Sequence, residues 1–121
     1  MTAARVLVVD DEFFIAEYLT AMMKDMGLKV VGRAATADEA VSLASQHRPD
    51  LVLMDVRLRG SKDGIDAANA IQEIGAARFV YITGSREPAT VARINTDHPA
   101  TVLFKPIRFE ELLDTIETVL T

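Results

Sequence analysis

The sequence predicts a doubly wound α/β domain: a five-stranded parallel sheet in the order 2-1-3-4-5, flanked by five helices. Three observations predict it. Short apolar runs alternate with helix-period segments along the chain, and no hairpin signal joins two runs. The runs Val6–Val9, Leu51–Met54 and Phe79–Ile82 are almost continuously apolar, as central strands buried on both faces must be. The second strand carries Lys29 and is followed by Arg33, so it belongs at an edge. Right-handed crossovers then leave few arrangements, and this order puts the reversal of direction between strands one and three.

Each element has a local reason. Strand one is expected over Arg5–Asp10. Helix one, Glu12–Met26, repeats Ile15, Leu19, Met22, Met23 and Met26 at the helical period, and Gly27 stops it as a left-handed cap. Leu28–Gly32 is a short second strand. Thr36 and Glu39 form a capping-box pattern that opens helix two, with Ala40, Leu43 and Ala44 inward. Pro49 turns the chain into strand three, which ends at Asp55. A polar loop, Arg57–Asp63, leads through Gly64 into helix three, which carries Ile65, Ala68, Ile71 and Ile74 and ends at Gly75. Asp63, Gly64 and Asp66 serve that turn and helix start. Strand four is Arg78–Ile82. Helix four, Pro88–Asn95, has Val91 and Ile94 but little else apolar. Strand five is Thr101–Phe104. Helix five, Arg108–Leu120, sets Phe109, Leu112, Leu113, Ile116 and Leu120 on one face.

Composition narrows the function. The 121 residues make one domain, residues 1–121, and half are hydrophobic, enough for an ordinary core. A net charge of −5 argues against a nucleic-acid surface, because phosphate backbones require clustered Lys and Arg. With no cysteine, a disulfide scaffold, a thiolate metal site and a Cys nucleophile are all excluded. Met1–Arg5 lacks the apolar stretch of a signal peptide, and no run reaches the length of a membrane span. The expectation is a cytoplasmic protein with no membrane partner.

Four signals follow the apolar runs: Asp10-Asp11, Asp55, Thr83 and Lys105-Pro106. In an open parallel sheet these strand ends share one edge, where ligand sites form. Adjacent carboxylates repel one another and Asp55, so a cation should neutralise them. Oxygen donors without His or Cys suit Mg²⁺ or a similar hard ion. Taken alone, Asp10 and Asp11 are explained equally well as caps of helix one; Asp55 across the gap tips the balance. An ionised carboxylate beside a divalent cation can attack phosphorus and form an acyl phosphate. Thr83 can donate to a phosphoryl oxygen, and Gly84 lets a ligand approach the backbone, although by itself Thr83 is a weak signal that also fits a cap of helix four or the start of a turn. Lys105 offsets the pocket's charge, and Pro106 can fix a cis peptide that aims it inward; a snorkelling surface lysine before a helix-starting proline is the plain alternative.

This pattern resembles the response-regulator receiver domain of two-component signalling, a flavodoxin-like fold. The four motifs occur in the family's order, and the resemblance covers essentially the whole chain. It implies that Asp55 accepts a phosphoryl group from a sensor histidine kinase or histidine phosphotransfer protein. It implies Mg²⁺ held by Asp11, Asp10, Asp55 and the backbone carbonyl of Arg57. Thr83 and Lys105 would hold the phosphoryl oxygens, and Arg57 and Ser85 would tune the lifetime of the phosphate. Such a domain is a signalling module, not an enzyme. It acts through the face of helix four, strand five and helix five on an output protein or by homodimerisation. Because the chain ends with helix five, the expectation is a stand-alone receiver or an excised domain.

Departures from the family pattern matter. Receivers usually carry an aromatic residue three positions before the lysine; here it is Val102, so the common hydroxyl–aromatic switch is missing. Phe104, adjacent to Lys105, is expected to point to the opposite face and not to be a simple replacement. Arg59 stands where the loop after Asp55 usually has Pro, and Ser61-Lys62-Asp63 lengthens that loop, which bears on its mobility and on access to the site. Arg78–Gly84 is similar to a subgroup of single-domain receivers with a Pro-Phe-x-Phe-Ala-Thr-Gly motif, but lacks its Pro and Ala. Phe13 and Phe14 begin helix one beside the pocket, and one lies off the apolar stripe, a candidate kinase contact; a core position for both is the other reading. His47 and His98 are expected in solvent, far from the pocket, and the helix-one methionines in the core.

Two other functions compete. A phosphorylation-independent interaction module would keep the fold; Val102 favours it and the acidic pocket opposes it. A shared-kinase phosphate sink is a further output mode. A flavin or nucleotide binder of flavodoxin-like fold would require a glycine-rich loop after strand one, where Asp10-Asp11-Glu12 would instead repel a phosphate.

Overall fold

The computed structural model describes residues 3–84, 88–97 and 101–121. Strands β1 (Arg5–Val9), β2 (Lys29–Ala34), β3 (Leu51–Asp55), β4 (Arg78–Thr83) and β5 (Thr101–Phe104) form one parallel sheet in the order β2-β1-β3-β4-β5. Helices α1 (Phe13–Asp25), α2 (Ala37–His47), α3 (Gly64–Ile74), α4 (Pro88–Asp97) and α5 (Phe109–Leu120) alternate with the strands. The topology and the central placement of the three most apolar strands agree with the sequence reading. Boundaries shift by one to two residues. Asp10 and Glu12 fall outside β1 and α1, β2 runs on to Ala34, and α4 extends to Asp97.

Strand alternation splits the core in two. Leu7, Val9, Val52, Met54, Phe79 and Tyr81 pack with Ala40 and Ala44 of α2, with Ala68 and Ile71 of α3, and with Ile94. On the other face Val6, Val8, Leu51, Leu53, Val80, Ile82 and Leu103 pack with Leu19 and Met23 of α1 and with Leu112 and Ile116 of α5. Met22 and Met26 lie against this second core, as the methionine reading expects. Phe109 breaks the predicted α5 stripe and is exposed.

The caps explain where helices begin and end. Gly27, at φ 81°, closes α1 in the left-handed conformation, with Gly27 N–H on the Lys24 carbonyl and Leu28 N–H on the Met23 carbonyl. Thr36 caps α2 through a bond from Glu39 N–H at 3.1 Å, while the Glu39 carboxylate reaches back one residue further than a standard box, to Ala35 N–H at 2.7 Å. Asp63 and Asp66 form a full reciprocal box at the start of α3, each carboxylate accepting the other's backbone N–H at 3.0 Å.

Two backbone bonds carry the ladder past the strand ends. Asp10 N–H donates to Ala34 at 3.0 Å, and Lys105 N–H donates to Thr83 at 2.9 Å. The residues just beyond β1 and β5 are therefore fixed by the sheet and not by free loops.

Candidate functional site

The carboxyl edge gathers Asp10, Asp11, Glu12 and Asp55, with one carboxylate oxygen from each lying within 4.8 Å of all the others. Asp10, Asp55 and Lys105 alternate onto the face shared by α1 and α5, because each continues the register of Val8, Leu53 and Leu103. Lys105 Nζ sits at their centre, 3.2 Å from Asp10 Oδ2, 3.2 Å from Asp55 Oδ2 and 3.4 Å from Glu12 Oε1. The Lys105–Pro106 peptide is cis, as the sequence suggests. Three carboxylates thus contact the ammonium, with Asp11 beside them.

Electrostatics follow from this crowding. Asp55 is 4 % exposed. Burial, and then the Asp10 carboxylate, push its pKa up to about 7, against the opposing pull of Lys105 and of the Arg57 backbone N–H. For Lys105, burial disfavours the charged form, but Asp55 and Asp10 outweigh it and hold the ammonium above its ordinary value. Asp10 Oδ1 accepts Glu12 N–H at 2.9 Å. Its buried Oδ2 receives no hydrogen bond of good geometry among the described residues, only the Lys105 charge. Neither aspartate caps α1: its N-cap is Glu12, whose side chain makes no capping bond. The helix-cap alternative for the acidic pair is therefore set aside.

Thr83 is buried at the end of β4, one residue beyond the Asp55–Ile82 register pair. It lies on the face of Tyr81, with Phe104 as its cross-strand partner. Here the structure corrects the sequence reading of Phe104. Positions 102 and 104 are two apart, so Phe104 shares the face of Val102 instead of opposing it; Val102 packs on the core that holds Tyr81, and Leu103 alone packs on the other. Ser85 and His98 lie outside the described residues. His47 sits at the end of α2, where its carbonyl accepts Arg5 Nη2 at 2.7 Å, at the opposite edge of the sheet.

The loop from Asp55 to α3 touches the start of α2. Arg59 bridges to Thr36 as in a parallel strand pair, Lys62 approaches Asp38 at 3.7 Å, and Gly60 takes φ 97° at the turn. Gly64 N–H donates to Val56 at 2.7 Å. A Cβ on Gly64 would lie 2.0 Å from the Asp55 carbonyl oxygen, so only glycine lets α3 begin so close to the acid.

Phe13 and Phe14 are both exposed, 64 % and 85 %, which removes the core reading for the pair. Their rings meet edge to face at 5.6 Å, and the Arg33 guanidinium lies 5.3 Å from the Phe13 ring centre. Glu12 is the cluster member that the sequence reading names as an acid but does not count among the site residues. Its adjacency to Asp10-Asp11 was the available signal, but helix-start acids are common enough to hide it.

Fold and site together define a phosphoryl-handling receiver architecture: a parallel five-stranded domain with clustered acids and a lysine at its carboxyl edge. Residues 6–117 match the family model of the response regulator receiver domain, and the chain belongs to that family. It is 38 % identical over 113 residues to the transcriptional regulatory protein PdtaR of Mycobacterium tuberculosis, covering 93 % of this chain and 55 % of that protein. It is 33 % identical over 107 residues to the phyllosphere-induced regulator PhyR of Methylorubrum extorquens, covering 88 % and 39 %. The chain thus spans about half or less of these relatives. Among solved structures, it matches the receiver domain of Erythrobacter litoralis PhyR with a TM-score of 0.89 at 28 % identity, over 99 % of this chain and 92 % of that one. The CheX–CheY–BeF₃–Mg²⁺ complex of Borrelia burgdorferi matches with a TM-score of 0.88 at 27 % identity, over 98 % and 90 %.

Proposed function

We propose that this receiver accepts a phosphoryl group on Asp55 from a phosphohistidine of a sensor histidine kinase or histidine phosphotransfer protein. The carrying observation is the buried Asp55 carboxylate, 3.2 Å from the Lys105 ammonium and inside a cluster of three further acids. An Asp55 oxygen forms the new P–O bond, the P–N bond breaks, and the imidazole leaves with its electron pair. Lys105 moves from the carboxylate to a phosphoryl oxygen, and Thr83 donates to another.

The residues fit a divalent cation: the donors are all oxygen, and Asp10 Oδ2 is buried without a good hydrogen bond. Asp10, Asp11, Asp55 and the Arg57 carbonyl would hold Mg²⁺. A bound Mg²⁺ would keep Asp55 ionised and screen it from the incoming phosphate. The rest falls to the chain's own groups. Asp10 and Asp11 supply the negative charge, Lys105 fixes the orientation of Asp55, and α1 limits the side from which a donor approaches.

The domain acts as a signalling module and not as an enzyme with its own substrate. The exposed Phe13–Phe14 pair beside the pocket supports α1 as the donor's docking surface. The face of α4, β5 and α5 would meet an output protein or a second copy. A cytoplasmic location is the usual one for this family; no helix among the described residues is long and apolar enough to cross a membrane. Val102, in place of the switch aromatic, favours one second reading, a phosphorylation-independent interaction module.

Intact mass after incubation with acetyl phosphate separates the two. A single phosphoryl adduct that requires Mg²⁺ and is absent in Asp55→Asn is expected. No adduct in the wild type, and no beryllofluoride binding, would overturn the phosphoacceptor reading and favour the interaction module.

A further inference from the structure

Among its described side chains, α4 buries Ile94 alone in the core. Its neighbour Arg93 provides a second anchor of a different kind. Arg93 Nη1 lies 2.7 Å from Asp63 Oδ2, and Nη2 lies 3.6 Å from Asp66 Oδ1. These are the two carboxylates that cap α3. Each spends one oxygen on the reciprocal box, Asp63 Oδ1 and Asp66 Oδ2, and turns the other to the guanidinium. The planar fork of arginine suits such a pair of acceptors better than a lysine would. Burial pushes the Asp63 carboxyl up, but the Asp66 N–H and Arg93 outweigh it and hold it below the ordinary value.

The cap is also continuous with the phosphoacceptor backbone. Asp63 precedes Gly64, whose N–H binds the Val56 carbonyl and whose missing side chain leaves the Asp55 carbonyl in direct contact with α3. The Asp55–Val56 backbone is thus joined to Asp63 through one residue, Gly64, by a hydrogen bond and a close contact. Val102 leaves no aromatic at the position where the family usually couples strand five to the site.

We propose that the Arg93 bridge to Asp63 and Asp66 couples the Asp55 backbone to α4, in the role that an aromatic at position 102 would otherwise fill. The inference rests on Asp55 as the phosphoacceptor. The bridge is half-exposed, so it is weak enough to be remade by a change at the site: ion pairs of this kind shift an equilibrium about two- to fivefold. A strong bridge would lock α4 in one position. This one can bias two.

The test is native-state amide hydrogen exchange of residues 88–97, with and without beryllofluoride and Mg²⁺. The wild type is compared with Arg93→Gln, Asp63→Asn and the double variant. Asn retains N-cap function, so Asp63→Asn removes the charge and keeps the helix start. In the free proteins, each single variant is expected to lower α4 protection about two- to fivefold, and the double variant to lower it no further than the singles. Beryllofluoride should change α4 protection in the wild type and change it less than half as much in the variants. Equal α4 protection in all free proteins, additive effects in the double variant, or an undiminished response in the variants would overturn the coupling. So would a wild type that binds beryllofluoride with no response in α4. A wild type that binds none, judged by mass, instead overturns the phosphoacceptor reading, and the coupling with it.

Discussion

Lys105 Nζ and Asp55 Oδ2 are 3.2 Å apart although their strands are not neighbours: β4 lies between β3 and β5. The lysine therefore arches over the end of β4, beside Thr83, to reach the acid. If Asp55 is the phosphoacceptor, as proposed, the ammonium is already within reach of phosphoryl oxygens carried there.

Lys105→Met should slow labelling by acetyl phosphate by about a hundredfold, in the range of losing one preorganised charge stabiliser. It leaves two buried carboxylates without their cation and should lower metal-free stability by about 1–3 kcal/mol. Labelling kinetics by mass and urea unfolding measure the two effects. Wild-type labelling would remove Lys105 from the site chemistry.

The raised pKa of Asp55 carries a pH signature. Its folded pKa, about 7, lies above the ordinary value of 3.8, so ionisation disfavours the folded state. The penalty is absent below 3.8, grows between the two values and is complete above about 7. Without metal, Asp55→Asn should therefore stabilise the protein at pH 8 by about 1–3 kcal/mol, and by less at pH 5. Adding Mg²⁺ should stabilise the wild type more than the variant. Urea titrations at both pH values test this, and a gain independent of pH would contradict it.

Gly64→Ala should be among the most damaging single substitutions. Its Cβ would come within 2.0 Å of the Asp55 carbonyl oxygen and 2.9 Å of Met54 Cγ, and backbone cannot step aside. A loss of about 3 kcal/mol or more is expected. Gly84→Ala serves as the control, since nothing among the described residues lies within 4 Å of its Cβ; it should change stability by less than about 0.5 kcal/mol. Thermal unfolding of both variants distinguishes them.

Phe14→Ala separates docking from chemistry. The ring is 85 % exposed, so stability and acetyl phosphate labelling should stay at wild-type levels. Transfer from a phosphorylated histidine donor should fall about tenfold or more, the scale of an interface anchor. Equal loss with both donors would place the residue in the site itself.

Much of this was legible in the sequence, for physical reasons. The central strands are apolar on both faces, the second strand is polar, and right-handed crossovers leave few orders for the sheet. The carboxylates and the lysine lie at strand ends, so topology brings them together. Phe104 adjoins Lys105 in sequence, but its two-residue spacing to Val102 decides its face. The Arg93 bridge was invisible because it joins the polar surface of α4 to a cap 30 residues earlier, with no apolar period to announce it. The exposure of both Phe13 and Phe14 was also hidden. Sequence can show that an aromatic leaves a stripe, but only packing shows that α1 turns its first residues outward.

The bonds from Asp10 to Ala34 and from Lys105 to Thr83 have a practical result for anyone altering this molecule. The reactive groups are attached to the scaffold, while the aromatic pair and the α4 bridge sit on separate helices. If α1 docks the donor and α4 carries the response, as proposed, exchanging those helical surfaces should alter partner choice and response while Asp10 and Lys105 stay bonded to the sheet.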